Sequence, residues 1–301
     1  MDPSLVKLLI LSVLIWGVAF PFSRWIVRRR KAWPVQDVSQ IRRRPPPSPQ
    51  WTRHEIAGRP RIVAYEYPGD GPNVLLLHEF GDSAKEWASV AGVLAGWGFR
   101  TVAVDLRGHG ASEPARWSFP AAVEDLARVV SSMAMDRPAV VGHSLGGVVA
   151  LLWARDHPEC PLAVVVDPQA EPTSPGQYQG LADPVGAHAT LRGELDEFYA
   201  ELPPYVQDVI AQARPVDVVA AVGAAACPVL VVSTDVGLTD TLSPASEAAY
   251  DAFLRWFRGV VMALDPPRVR VRHLTLEEGV TTTPHRRFPV RFAELVRSGL
   301  G

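Results

Sequence analysis

Short continuous apolar runs alternate along residues 51–301 with longer stretches whose apolar positions recur every three or four residues. The short runs predict strands over His54–Ala57, Arg61–Tyr67, Asn73–His78, Arg100–Asp105, Pro138–His143, Leu162–Asp167 and Val229–Thr234. The helical spacing predicts Lys85–Trp97, Phe119–Met135, Leu145–Asp156, Ala245–Ala263 and Pro289–Ser298. Arg268–Thr275 alternates Val and Arg, the pattern of an edge strand with one wet face. Runs apolar at every position are buried on both faces, so the alternation predicts an α/β fold: an open, mostly parallel sheet with helices on either side.

Two stretches break that rhythm. Gln169–Ala226 carries Pro172, Pro175, Pro184, Pro203, Pro204 and Pro215 around the short helical segments Leu191–Leu202 and Val206–Ala213. An excursion of that length between two core strands reads as a helical cap over a site. At the other break, Leu5–Phe22 is apolar except for Lys7, Ser12 and Gly17, and is followed by Arg24, Arg28, Arg29, Arg30 and Lys31. The run approaches the length that crosses a bilayer core, and Trp16, Trp25 and Trp33 are placed as interfacial anchors. A cleavable leader would carry its positive charge before the apolar run, not after it. The expectation is therefore a single transmembrane helix in residues 1–33, with the Arg-rich flank and the domain behind it on the cytoplasmic side. Residues 34–50, with Arg42–Arg44 and a run of prolines, read as a semi-rigid linker. The remaining boundaries are 51–168 for the first part of the core, 169–226 for the cap and 227–301 for the second part.

Charge and composition narrow the partners. With 30 basic against 32 acidic side chains, a net charge of −2 offers no electrostatic footprint for nucleic acid. The two cysteines, Cys160 and Cys227, form neither a disulfide framework nor a metal-ligand cluster and read as free thiols. No cofactor or metal is expected.

The chemistry gathers at Pro138–Gly147, where an apolar strand runs directly into Gly-His-Ser-Leu-Gly and then into a helix. This is the G-x-S-x-G nucleophile turn in its proper setting, with Ser144 at the apex. A serine hydroxyl is a poor nucleophile near neutral pH, so it needs exposure and a partner base. The turn supplies the exposure, and the Leu145 amide at the helix start can face a developing oxyanion.

Three further segments, together with this turn, resemble the α/β-hydrolase superfamily across residues 51–301. Asn73–Trp87 contains Leu-His-Glu-Phe-Gly, similar to the family's oxyanion loop; Asp105–Ser112 reads Asp-Leu-Arg-Gly-His-Gly-Ala-Ser; Pro284–Leu295 resembles the segment that carries the catalytic histidine before the last helix. The resemblance implies an α/β-hydrolase fold, with Ser144 as nucleophile and His285 as general base. His273, inside a predicted strand, is the weaker candidate, and His109 reads as structural. The acid stays open among Asp240, in Gly237-Leu238-Thr239-Asp240, Asp167 at the end of the strand before the cap, and Asp235. The amides of Phe80 and Leu145 would form the oxyanion hole. His78 and His143 flank that loop and the turn and are expected to orient backbone, with substrate contact a further possibility. Glu79 stands where relatives mostly have glycine; in the similar dienelactone hydrolases this glutamate lies near the nucleophile, and here it either contacts Ser144 or points outward.

A serine at this turn implies an acyl-enzyme, hence a membrane-anchored hydrolase of carboxylic esters, acting on a small-molecule or lipid-like substrate. A thioesterase, peptidase or acyltransferase would use the same residues. A non-catalytic relative serving as a binding module, or as a membrane-recruited scaffold, is the reading from a different class.

Overall fold

In a computed structural model of the chain, residues 51–168, 171–234, 242–264, 268–274 and 283–300 are described. They build one sheet from β1 (Thr52–Ile56), β2 (Ile62–Tyr67), β3 (Asn73–Leu77), β4 (Arg100–Asp105), β5 (Ala139–His143), β6 (Ala163–Val166), β7 (Val229–Thr234) and β8 (Val269–Leu274). The order across the sheet is β1-β2-β4-β3-β5-β6-β7-β8. Only the β1–β2 and β2–β4 pairings are antiparallel. The Val/Arg strand β8 does lie at an edge, as its alternation requires.

The continuous apolar runs are buried on both faces because successive side chains point to opposite sides of a strand. In β3, Leu75 and Leu77 face one core, while Val74 and Leu76 face the other. The first core is closed by α2 (Phe119–Ser132), α3 (Leu145–Asp156) and α7 (Pro244–Ala263), through Leu126, Leu151 and Phe253. The second is closed by α1 (Ala88–Gly96) and α9 (Pro289–Leu300), through Leu94 and Phe292. Between β6 and β7 lie α4 (Pro184–Ala200), α5 (Pro204–Ala213) and α6 (Val218–Ala224). Glu171 ties this region together by accepting from the Tyr199 hydroxyl at 2.7 Å and from Arg214 Nε at 2.9 Å.

Three elements differ from the sequence expectation. The helix predicted over Lys85–Trp97 begins as a 3₁₀ turn at Ala84–Trp87 before α1 takes over. The tighter turn is held by Asp105 Oδ1, which accepts from the Ala84 amide at 2.7 Å, and it carries Glu86 and Trp87 into the interior. The first cap helix starts at Pro184, not Leu191, because the Asp183 side chain caps it by accepting from the Gly186 amide and Pro184 suits the first helical position. The short α6, capped by Asp217, has too few residues to show a period in the sequence. Both thiols are free and buried. The anchor and linker expected in residues 1–50 lie outside the described residues. Among the described residues, no helix is long and apolar enough to cross a membrane.

The turn from β5 into α3 is tightly enclosed by backbone. A Cβ on Gly142 would lie 2.1 Å from the Gly146 carbonyl oxygen, and one on Gly146 would lie 2.5 Å from that of Leu77. Backbone on both sides leaves nothing that can move aside. Gly193, inside α4, has nothing within 4 Å of its Cβ position. Urea denaturation should therefore separate the two: Gly142→Ala destabilises by about 1–3 kcal/mol or more, whereas Gly193→Ala stabilises by about 0.5–1 kcal/mol. A Gly142→Ala midpoint equal to that of the parent would contradict the packing described.

Candidate active site

Ser144 adopts φ 48° and ψ −112°, a left-handed backbone that costs a non-glycine residue about 1–3 kcal/mol. Its amide donates to the Val166 carbonyl at 2.9 Å and its carbonyl accepts from Val148 at 3.1 Å, so the strained turn is pinned on both sides. The half-buried side chain has no hydrogen-bond partner among the described residues. Nor, among the described residues, do the amides of Phe80 and Leu145 donate to any acceptor. Leu145 opens α3, where the first amides have no intrahelical carbonyl to meet.

The loop after β3 is fixed by His78. Its Nε2 accepts from the Leu106 amide at 3.0 Å, so the ring proton sits on Nδ1, which donates to the Glu79 carbonyl at 2.6 Å. Burial pushes its pKa down, and likewise pushes His109 down to about 4. His109 packs between His78, Phe80 and Trp117, with ring centroids 5.2, 5.4 and 5.9 Å away, and bonds the Arg107 carbonyl. Both rings hold backbone carbonyls in place. The Asp105–Ser112 loop is a buttress: Asp105 Oδ2 accepts from the Ala111 amide and Ser112 joins the Asp105 carbonyl to the Val63 amide. Arg107 reaches Asp125 at 2.7 Å.

Around a carboxylate that the sequence reading gave no role, the titratable groups converge. Glu86, its side chain fully buried, accepts at Oε1 from His143 Nδ1 and from His285 Nε2, both at 2.6 Å. Its Oε2 accepts from the Glu79 amide at 2.7 Å. His285, at the start of the short α8 (Pro284–Arg287), is stacked on Trp87 with centroids 4.3 Å apart and meets Phe292 edge-on at 5.7 Å. Its Nδ1 is buried without a partner among the described residues. Burial works against the charge on Glu86, but the two imidazole hydrogen bonds win and lower its pKa. On His143 burial pulls downward, yet Glu86, Glu79 and Asp167 together raise it. On His285 burial prevails over the Glu86 hydrogen bond and holds the ring at about 4.

Several sequence assignments are thus relocated. No hydrogen bond joins Ser144 to His285, and the described carboxylate that meets His285 is Glu86, not an aspartate. Asp235 and Asp240 lie outside the described residues. Asp167 follows directly after β6 at φ 39°, half-buried, with its amide donating to the Val232 carbonyl. His273 stands within β8 opposite Ser233. His143, expected to orient backbone, bonds the Glu86 side chain instead. Glu79 turns toward cations: its Oε2 is 3.8 Å from His143 Nδ1 and its Oε1 3.7 Å from Arg286, which also pairs with Asp82. Burial raises the Glu79 pKa. Glu86 was hidden because Lys-Glu at a helix start ordinarily marks a solvated face. The only hint was the adjacent Trp87.

The Glu86, His143 and His285 donor atoms lie within 4.8 Å of one another, the composition of a metal site. The two 2.6 Å contacts decide otherwise, since ligands about 2.0–2.2 Å from a shared tetrahedral ion stand more than 3 Å apart. These are hydrogen bonds to one oxygen.

Comparison with known proteins agrees with this fold. The serine aminopeptidase (S33) family model matches residues 72–198. An uncharacterised protein of Mycobacterium tuberculosis is 36% identical over 134 residues, which are 44% of this chain and 36% of that one. Epoxide hydrolase B of the same organism is 39% identical over 93 residues, 30% of this chain and 26% of that enzyme. The chain thus spans about a third or less of the length of these curated relatives. Among solved structures, a membrane phospholipase A superposes with a TM-score of 0.59 at 19% identity, covering 100% of this chain and 98% of that one. The sheet order and these likenesses show an α/β-hydrolase fold, and the family model's match takes in the strained serine turn.

Proposed function

We propose that the protein is a membrane-anchored serine hydrolase that cleaves carboxylic esters through an acyl-enzyme on Ser144. One observation carries this reading: a strained turn presents a serine hydroxyl, unpartnered among the described residues, beside a helix start, with the Leu145 and Phe80 amides free to donate to a developing oxyanion. Ser144 Oγ attacks the ester carbonyl while His285 takes its proton, and the tetrahedral oxyanion accepts from the two amides, an interaction worth about 3–4 kcal/mol of barrier. Collapse breaks the C–O bond, and the imidazolium returns the proton to the departing alcohol. A water deprotonated by His285 then attacks the acyl group and frees the acid, restoring Ser144.

The nucleophile type favours acyl transfer over the chemistry named for the epoxide hydrolase relative. Ring opening through a covalent intermediate suits a carboxylate nucleophile, whereas a serine alkoxide attacks a carbonyl. The apolar run Leu5–Phe22 with its basic flank supports a single-pass anchor and a cytoplasmic domain. The whole-length likeness to a membrane phospholipase A supports a lipid-like ester as substrate. Glu79, close to the loop that would hold the oxyanion, disfavours an anionic group at that position. The second reading, a binding module without catalysis, draws on the missing Ser144–His285 hydrogen bond.

A fluorophosphonate probe separates the two. The full chain in detergent should label, and Ser144→Ala should not; an unlabelled but folded parent protein removes the hydrolase reading. A series of p-nitrophenyl esters should then show a preference for longer acyl chains, and a flat profile would argue against a lipid-like substrate. Because burial holds His285 at about 4, kcat/KM should stay level through the neutral range and fall only as pH drops toward 4. A base limb near the ordinary histidine value would contradict this.

A further inference from the structure

We propose that Glu86 is the positioning carboxylate of this site, holding His285 in its Nε2–H tautomer and leaving Nδ1 as the bare nitrogen of the neutral ring. The inference deepens the hydrolase reading and rests on it. A carboxylate with no solvent contact is costly to bury unless its lone pairs are met by donors. Glu86 is met by three: the Glu79 amide, His143 Nδ1 and His285 Nε2. Each donor belongs to a different catalytic segment. Glu79 precedes Phe80 in the oxyanion loop, His143 precedes Ser144 in the turn, and His285 is the candidate base.

Since an ionised carboxylate only accepts, the ring nitrogens facing Glu86 must both carry protons. For His285 that leaves Nδ1, which is buried and has no partner among the described residues. A proton there would strand a charged donor in a dry pocket, whereas a lone pair costs far less. The neutral ring therefore has one basic site, and it is not the nitrogen turned toward the carboxylate. Stacking on Trp87 and the edge contact with Phe292 keep the ring from turning over. The charged groups around it are Glu86 from the 3₁₀ turn, His143 from the end of β5, Glu79 from the oxyanion loop and Arg286 from α8 itself. When the ring takes a second proton, the positive charge that forms is stabilised through Nε2–H by Glu86. Glu86 itself touches no reacting atom.

The test has an arm that needs no catalysis. In ¹⁵N NMR of the full chain, assigned by comparison with His285→Ala, the His285 resonances should report a protonated Nε2 and a bare Nδ1. A protonated Nδ1 in the neutral ring overturns the inference, whether or not the protein hydrolyses esters. In kinetics, Glu86→Gln should lose roughly a hundredfold or more in kcat with KM little changed, as for a positioning carboxylate elsewhere. Glu86→Asp should recover part of that loss. Glu86→Gln retaining kcat within about threefold, while Asp240→Asn, Asp235→Asn or Asp167→Asn loses a hundredfold, overturns the assignment in favour of that aspartate. Failure of the parent protein to label with the fluorophosphonate would remove the hydrolase reading instead, and the tautomer measurement would still decide the placement of the proton.

Discussion

The contact of backbone on backbone where β5 turns into α3 sets everything at the site. Gly142 and Gly146 let that turn press against the carbonyl oxygens at the end of β3, closer than any side chain would permit. The same approach forces Ser144 into a left-handed conformation and lifts its hydroxyl clear of the turn's own hydrogen bonds. It also brings the oxyanion loop alongside the first amides of α3. The site is thus a property of how tightly two strand ends and one helix start are packed, and the parallel sheet beneath supplies the rigidity that holds the strain.

The second constraint is electrostatic. A buried glutamate, two imidazoles and a backbone amide form one connected set, and the charge of each depends on the others. Burial alone would neutralise the acid and both rings. The hydrogen bonds instead keep the carboxylate ionised, lift one ring and leave the other neutral, so two histidines on the same oxygen take opposite protonation tendencies.

The strands were legible in the sequence because burial on both faces writes an uninterrupted apolar run, and β4 and β7 match their predicted bounds. The serine turn was legible because only glycine fits beside it. The helix starts were less so. Pro184 and Asp183 cap a helix whose first turns carry no apolar face, and the 3₁₀ turn at Ala84–Trp87 depends on Asp105, more than a strand's length away in the chain. Glu86 was illegible for the same reason. Its type suits a solvated helix start, and its burial follows from partners at positions 143 and 285 that only the fold brings near.

The sharing of a single carboxylate by three segments has an evolutionary corollary. A substitution at Glu86 strands donors on His143 and His285 together, and one at either histidine leaves the acid short of a partner in a place water does not reach. Losses at the three positions will therefore fail to add. In descendants of this chain the trio should be inherited as a block, kept whole or replaced whole, while the neighbouring surface drifts position by position.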